Sequence, residues 1–172
     1  MKKIGELIEE IEIVESKGDM EYAISSLCLD SRYASVNSLF IALAGNALDG
    51  HNYIEQAIEK GAKAIVHEKD LKEYKDGVVY VKVKDSHSAV GKIASAFYDH
   101  PSEHLRLIGI TGTNGKTTTT TLLHQLFRNL GRKAGMIGTV VNKINDNSFE
   151  AERTTPDAIS LNKLLKDMVD EG

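Results

Sequence analysis

The chain has 172 residues, with 21 Lys+Arg against 25 Asp+Glu, a formal net charge of -4 and a pI near 5.9. That length allows one domain or two small ones, and 41% apolar residues suit a globular protein with a core, while the slight acidity argues against nucleic acid or an anionic membrane surface as the main partner. A lone cysteine (Cys28), no run approaching a membrane span and a start without the apolar core of a signal peptide exclude a secreted miniprotein, a membrane protein and a disordered tail, and point to a reducing, cytoplasmic setting.

Ile4, Leu7, Ile8 and Ile11 fall at helical spacing and predict a short amphipathic helix. Ser38–Leu43 reads as a strand, followed by a loop through Gly45 and Gly50 and a helix around Tyr53, Ile54, Ala57 and Ile58 that ends at Gly61. Ala64–Val66 and Val78–Val81 read as short strands. Ser86 is placed to cap a helix whose apolar face is Ala89, Val90, Ile93, Ala94 and Phe97. Pro101 disfavours helix at His100, so the stretch 100–102 is the expected domain boundary. A second unit opens with a strand over Leu105–Ile110, turns through glycines and enters a helix with Leu122, Leu123, Leu126, Phe127 and Leu130 on one face, stopped by Gly131. A strand over Ala134–Val141 follows. Pro156 then opens a helix carrying Leu161, Leu164, Leu165 and Met168. Strands alternating with helices predict α/β layering in both units, the second incomplete, since so few elements cannot cover both faces of a parallel sheet.

The sharpest motif is Thr111-Gly112-Thr113-Asn114-Gly115-Lys116-Thr117-Thr118, set between an expected strand and an expected helix. Glycines let successive N–H groups converge on phosphate oxygens, and the helix N-terminus adds partial positive charge. Lys116 would reach the terminal phosphates and the Thr117 hydroxyl would ligate Mg²⁺. Ile110 stands where the common G-x-x-x-x-G-K-[ST] pattern has its first glycine, and the plain alternative is a tight turn before a lysine-bearing helix. Five consecutive threonines at 117–121 are poor helix formers. Function is the reading for Thr117 and Thr118, and tolerance within a packed helix for Thr119–Thr121.

This loop resembles the ATP loop of the Mur ligases and their folylpolyglutamate synthetase relatives. Leu29-Asp30-Ser31-Arg32, Ser38–Leu43 and Gly45-Asn46-Ala47-Leu48-Asp49-Gly50-His51 resemble the N-terminal domain of the ligases that add the third amino acid or D-Ala-D-Ala. Thr154-Thr155-Pro156-Asp157 is similar to the third-residue type. The resemblance implies a small UDP-sugar-binding α/β domain (1–102) and the start of a P-loop-type ATP-binding α/β domain with a mostly parallel sheet (103–172). It also implies an enzyme of cell-wall peptidoglycan synthesis, monomeric and cytoplasmic. ATP and Mg²⁺ would sit at Gly112, Thr113, Asn114, Gly115, Lys116, Thr117 and Thr118, with Lys116 and Thr117 catalytic and Thr117 on the metal. Leu29 and Ser31 would contact the uridine end of UDP-MurNAc-L-Ala-D-Glu, loop 45–48 would close over it, and Thr154 and Thr155 would hold its peptidyl end.

The implied reaction activates a carboxylate as an acyl phosphate, which the amine of a diamino acid (meso-diaminopimelate or L-lysine) then displaces. The family's second metal site, carbamylated lysine and amino-acid domain would lie beyond Gly172, so the chain is expected to be a truncation, inactive alone. A dipeptide-adding ligase and a non-catalytic nucleotide-sugar module remain open. On the residues alone, Asp30-Ser31-Arg32 is equally a turn, and Thr154–Asp157 equally a threonine-capped helix start. The six histidines lack metal spacing and read as surface or structural.

Overall fold

The structure, a computed structural model, describes residues 1–45, 48–151 and 153–172, and the chain divides into the units Met1–Phe97 and Tyr98–Gly172. The first unit runs β1 (Lys2–Lys3), α1 (Ile4–Leu7), β2 (Ile13–Lys17), β3 (Ala23–Ile24), β4 (Ser26–Cys28), β5 (Ser38–Ile41), α2 (Ile54–Glu59), β6 (Ala64–His67), β7 (Val79–Val83) and α3 (Ser86–Phe97). Its main sheet has the order β2-β7-β6-β5-β4, in which β4, β5, β6 and β7 are parallel and β2 is an antiparallel edge. β5 and β6 are buried at every position, which is why they read as continuous apolar runs rather than alternating ones. The exposed edge β2 carries Glu15 and Lys17 and has no such signature.

Register builds the core. Cys28 stands opposite Phe40, Phe40 opposite Ile65 and Ile65 opposite Tyr80, one row on one face. Ile54 and Ala57 of α2 join that row in a single buried cluster. On α1 and α3, which pack together, the buried Ile4, Leu7, Val90, Ile93 and Ala94 form no part of that cluster. Burial pushes the Cys28 thiol up to about 11. It should therefore stay unreactive toward a thiol reagent at neutral pH until the chain unfolds; rapid labelling of the folded protein would contradict its burial.

The second unit contains α4 (Lys116–Asn129), β8 (Gly135–Met136), β9 (Val141–Ile144), β10 (Asn147–Glu150) and α5 (Ala158–Asp170). Its paired strands form an antiparallel ribbon in the order β10-β9-β8. Leu164, Leu165 and Met168 of α5 pack with Leu105, Ile137, Ile144 and Leu161.

Several expected elements change. The helix at Ile4 is one turn long, ending at Leu7, and Ile11 is only half-buried. The expected strand Leu105–Ile110 is not one: no strand pairs with it among the described residues, and Leu107 and Ile108 are exposed. The expected strand Ala134–Val141 is broken at Gly138, whose N–H is held by the Asn142 side chain at 3.1 Å, and Val141 instead starts a hairpin. The leucine stripe of α4 exists, but Leu122, Leu126 and Leu130 are exposed.

Helix caps also differ from expectation. Asp85, not Ser86, caps α3 by accepting from the N–H groups of His87 (2.9 Å) and Ser88 (3.1 Å). Asp157, not a threonine, caps α5 by accepting from Ser160 N–H at 2.9 Å, which leaves Pro156 before the cap. A carboxylate satisfies the orphan N–H groups as well as a hydroxyl does and also complements the helix dipole. Asp157→Ala should cost about 1 kcal/mol in urea unfolding, and no loss would mean the cap is idle.

Candidate functional site

In the first unit, β4 runs into Leu29 and Asp30, where the chain must leave the sheet. Asp30 forces a single 3-10 turn over Ser31–Tyr33 by accepting from Arg32 N–H at 2.8 Å. The Arg32 guanidinium then grips the same carboxylate through Nε at 3.0 Å and a terminal nitrogen at 2.7 Å, holding Asp30 below the usual carboxylate range. The turn seen in the Asp-Ser-Arg string is therefore real. It also delivers Ser31, 4% exposed, whose hydroxyl donates to Gln56 Oε1 of α2 at 2.5 Å.

Leu29 and Ser31 line one cleft of about 550 Å³ together with Phe40, Leu43, Tyr53 and Gln56. An apolar floor with a few polar groups at its edge suits a flat heterocycle carrying polar substituents. Sequence reasoning missed Tyr53 and Gln56 as cleft residues, because Tyr53 reads simply as part of a helix with Ile54, Ala57 and Ile58 and Gln56 belongs to no motif.

The cleft's far wall is set by hydrogen bonds rather than by apolar packing. Leu48 and Gly50 line it. Gly50 donates its N–H to Leu43 O at 2.9 Å and lies so close that a Cβ would stand 2.8 Å from Leu43 N. Asp49 accepts from the His51 N–H at 3.0 Å, from His51 Nδ1 at 2.6 Å and from the Lys69 ammonium. Lys69, then His51, hold its carboxyl well below the usual range, so Asp49 contributes stability at neutral pH that is lost only as pH falls below the ordinary value of 3.8. Ala44, before this wall, donates its N–H to Ser86 Oγ at 3.2 Å. Asn46 and Ala47, half of the loop expected to close over a ligand, lie outside the described residues.

In the second unit the chain reaches α4 through Gly112 (φ +148°) and Gly115 (φ +81°), both in backbone that L side chains rarely adopt. Unlike α3 and α5, α4 begins without a side-chain cap. Among the described residues, the N–H groups of Gly112, Thr113, Asn114 and Gly115 have no hydrogen-bond partner. The Lys116 ammonium lies over the same loop, donating to Gly112 O at 2.5 Å and Thr113 O at 3.4 Å. Unpaired N–H groups, an uncapped helix start and a solvent-exposed ammonium are chemistry suited to a polyphosphate.

The neighbouring threonines divide by role. Thr120 returns its hydroxyl to Lys116 O at 2.8 Å, and Thr121 donates toward Met136 Sδ at 3.9 Å. The Thr120 bond, to the carbonyl four residues back, satisfies a threonine hydroxyl within the helix. The Thr117 and Thr118 hydroxyls have no such partner among the described residues, and both residues are exposed. Thr154 and Thr155 are exposed ahead of the α5 cap, and no hydrogen bond joins them to the loop among the described residues. Arg153 reaches Asp157, at 3.4 Å. No group of three or more His, Cys, Asp or Glu that could hold a metal occurs among the described residues.

Both units are similar to known proteins. Residues 23–98 match the model described as Mur ligase family, catalytic domain, and residues 110–172 match the Mur ligase middle domain. The chain is 47% identical over 169 residues to the UDP-N-acetylmuramoyl-L-alanyl-D-glutamate–2,6-diaminopimelate ligase of Alkaliphilus metalliredigens, covering 98% of this chain and 34% of that protein. It is 48% identical to the ligase of the same name from Bacteroides thetaiotaomicron, covering 98% and 35%. A solved structure of a 2,6-diaminopimelate ligase of this name superposes with a TM-score of 0.76 at 25% identity, over 99% of this chain and 34% of the other. The chain thus spans about a third of the length of the curated relatives it matches. With one family's models matched over both the cleft-bearing and the loop-bearing segments, and this identity held along the whole length, the chain belongs to the Mur ligase family.

Proposed function

We propose that this chain is the nucleotide-sugar-binding and phosphate-loop portion of an ATP-dependent amide ligase that adds meso-diaminopimelate to UDP-MurNAc-L-Ala-D-Glu. The relatives that are nearly half identical carry names for that reaction, which favours it over the D-Ala-D-Ala-adding one. Residues 1–102 would hold the UDP end in the cleft at Leu29 and Ser31, and residues 103–172 would hold ATP.

The observation that carries the reading is the loop before α4, with its unpaired N–H groups and the lysine above it. Its donors fit a triphosphate, and the free Thr117 hydroxyl is an oxygen ligand of the kind Mg²⁺ takes. Mg²⁺, when bound there, would supply charge neutralisation on the phosphate oxygens. Gly112 to Thr118 would bind those oxygens through backbone N–H groups. Lys116 would exchange its carbonyl partners for phosphate, offsetting the repulsion between ATP and the incoming carboxylate. Thr154 and Thr155, placed where a helix N-terminus is near, would orient that carboxylate.

Isothermal titration tests this. The chain is expected to bind both UDP-MurNAc-L-Ala-D-Glu and ATP·Mg²⁺, each without displacing the other. Binding of the nucleotide-sugar without ATP would instead make it a non-catalytic module.

A further inference from the structure

We infer that His51 is a positioning residue for the nucleotide-sugar cleft, acting as a neutral, Nδ1-protonated bridge that pins the Leu48–Tyr53 wall to the exit of β6. The inference rests on the cleft reading given above. His51 Nε2 accepts from the backbone N–H of Glu68 at 2.9 Å and of Lys69 at 3.2 Å. A nitrogen that accepts two N–H bonds carries no proton, so the ring proton is on Nδ1 and goes to Asp49 at 2.6 Å. The side chain is 7% exposed and Asp49 17%, so water does not readily replace either contact.

The charged and titratable groups facing the ring are fixed. Asp49 is shared with the Lys69 ammonium. The Glu68 carboxylate is turned away onto Ser86, accepting from its N–H and its hydroxyl at 2.9 Å each. His67 Nδ1 donates to Lys69 O at 2.8 Å, and burial lowers the pKa of its ring. Lys69 therefore serves twice, through its ammonium on Asp49 and through its N–H on His51.

The pinned segment lines the cleft. Leu48, Gly50 and Tyr53 flank the Asp49–His51 pair, and Gly50 is already flush against Leu43, so the wall cannot shift inward. It can shift only outward, and the imidazole is what prevents that. An imidazole spans this gap where aliphatic side chains cannot, because it offers a donor and an acceptor on opposite edges of one rigid ring.

The test uses the chain with His51→Ala and His51→Gln, the latter able to place an amide oxygen near the Nε2 position. His51→Ala is expected to weaken UDP-MurNAc-L-Ala-D-Glu binding about tenfold, because displacing a binding wall by a fraction of an ångström misaligns every contact on it. His51→Gln should recover most of that loss, and ATP affinity should stay unchanged in both. Nucleotide-sugar affinity unchanged in His51→Ala overturns the inference. So does equal weakening in both variants accompanied by weakened ATP binding, which marks general unfolding. If the unaltered chain binds no nucleotide-sugar, the cleft reading fails instead. The bridge is then decided by ¹⁵N shifts of the His51 ring at neutral pH: a protonated Nδ1 beside a bare Nε2 upholds it, and the reverse tautomer overturns it.

Discussion

Lys116→Ala, placed in the ligase proposed above, is expected to lower ATP-dependent turnover by about 10³-fold while leaving nucleotide-sugar binding intact. In the proposed reaction two anions, a carboxylate and a triphosphate, must approach each other for the first step, and their repulsion grows as water is excluded. The ammonium lies on the carbonyls of Gly112 and Thr113 and can swing to a phosphate without moving the backbone. The backbone N–H groups survive the substitution, so ATP should still bind, more weakly, while the charge needed at the terminal phosphate is lost. The cleft belongs to the other unit of the fold and holds none of the loop's residues. Phosphate release and calorimetric titration, run side by side, check both halves. Retained turnover would remove the loop from the chemistry.

Phe40→Ala is the second large effect, about 3–5 kcal/mol of stability in urea unfolding. Phe40 is 1% exposed, sits mid-strand in β5 between Cys28 and Ile65 in the cross-strand row, and packs in the cluster that α2 covers. It also floors the cleft. Truncation leaves a cavity under both the sheet and the site, so nucleotide-sugar affinity should fall with stability. Phe40→Leu keeps most of the volume and should cost about 1 kcal/mol. A loss below that figure for the alanine variant would place Phe40 outside the core.

What the sequence revealed depended on the range of the interaction. β5, α2, β6, β7 and α3 were legible because burial on one stripe or two faces leaves a periodic or continuous apolar run, and Gly61, at φ +105°, stops α2 as its type suggests. β2 and the two-residue strands were not, being exposed or too short to show a period. Leu105–Ile110 has strand composition, but composition does not supply the neighbour that a strand must pair with. The hairpin at 141–150 was hidden because Gly138 and Asn142 end one segment inside an unbroken apolar-looking stretch.

The site divides the same way. The loop before α4 is local, and its residues occupy consecutive positions, so a motif could point to it. The cleft is assembled from Leu29, Ser31, Phe40, Tyr53 and Gln56, residues brought together only by the sheet order. Its far wall depends on His51 meeting backbone seventeen and eighteen residues away, at Glu68 and Lys69. No spacing rule announces such a bond. Without metal spacing the six histidines read as surface or structural, and the bonds that His51 makes became visible only with its partners in place.

Two ligands are expected at two separate places in this chain, and amide chemical-shift mapping distinguishes them. UDP-MurNAc-L-Ala-D-Glu should move the resonances of Leu29, Ser31, Phe40, Tyr53 and Gln56, and ATP·Mg²⁺ those of Gly112 to Thr118. Shifts from the nucleotide-sugar that leave the cleft untouched, or from ATP that bypass the loop, would contradict binding at these two places.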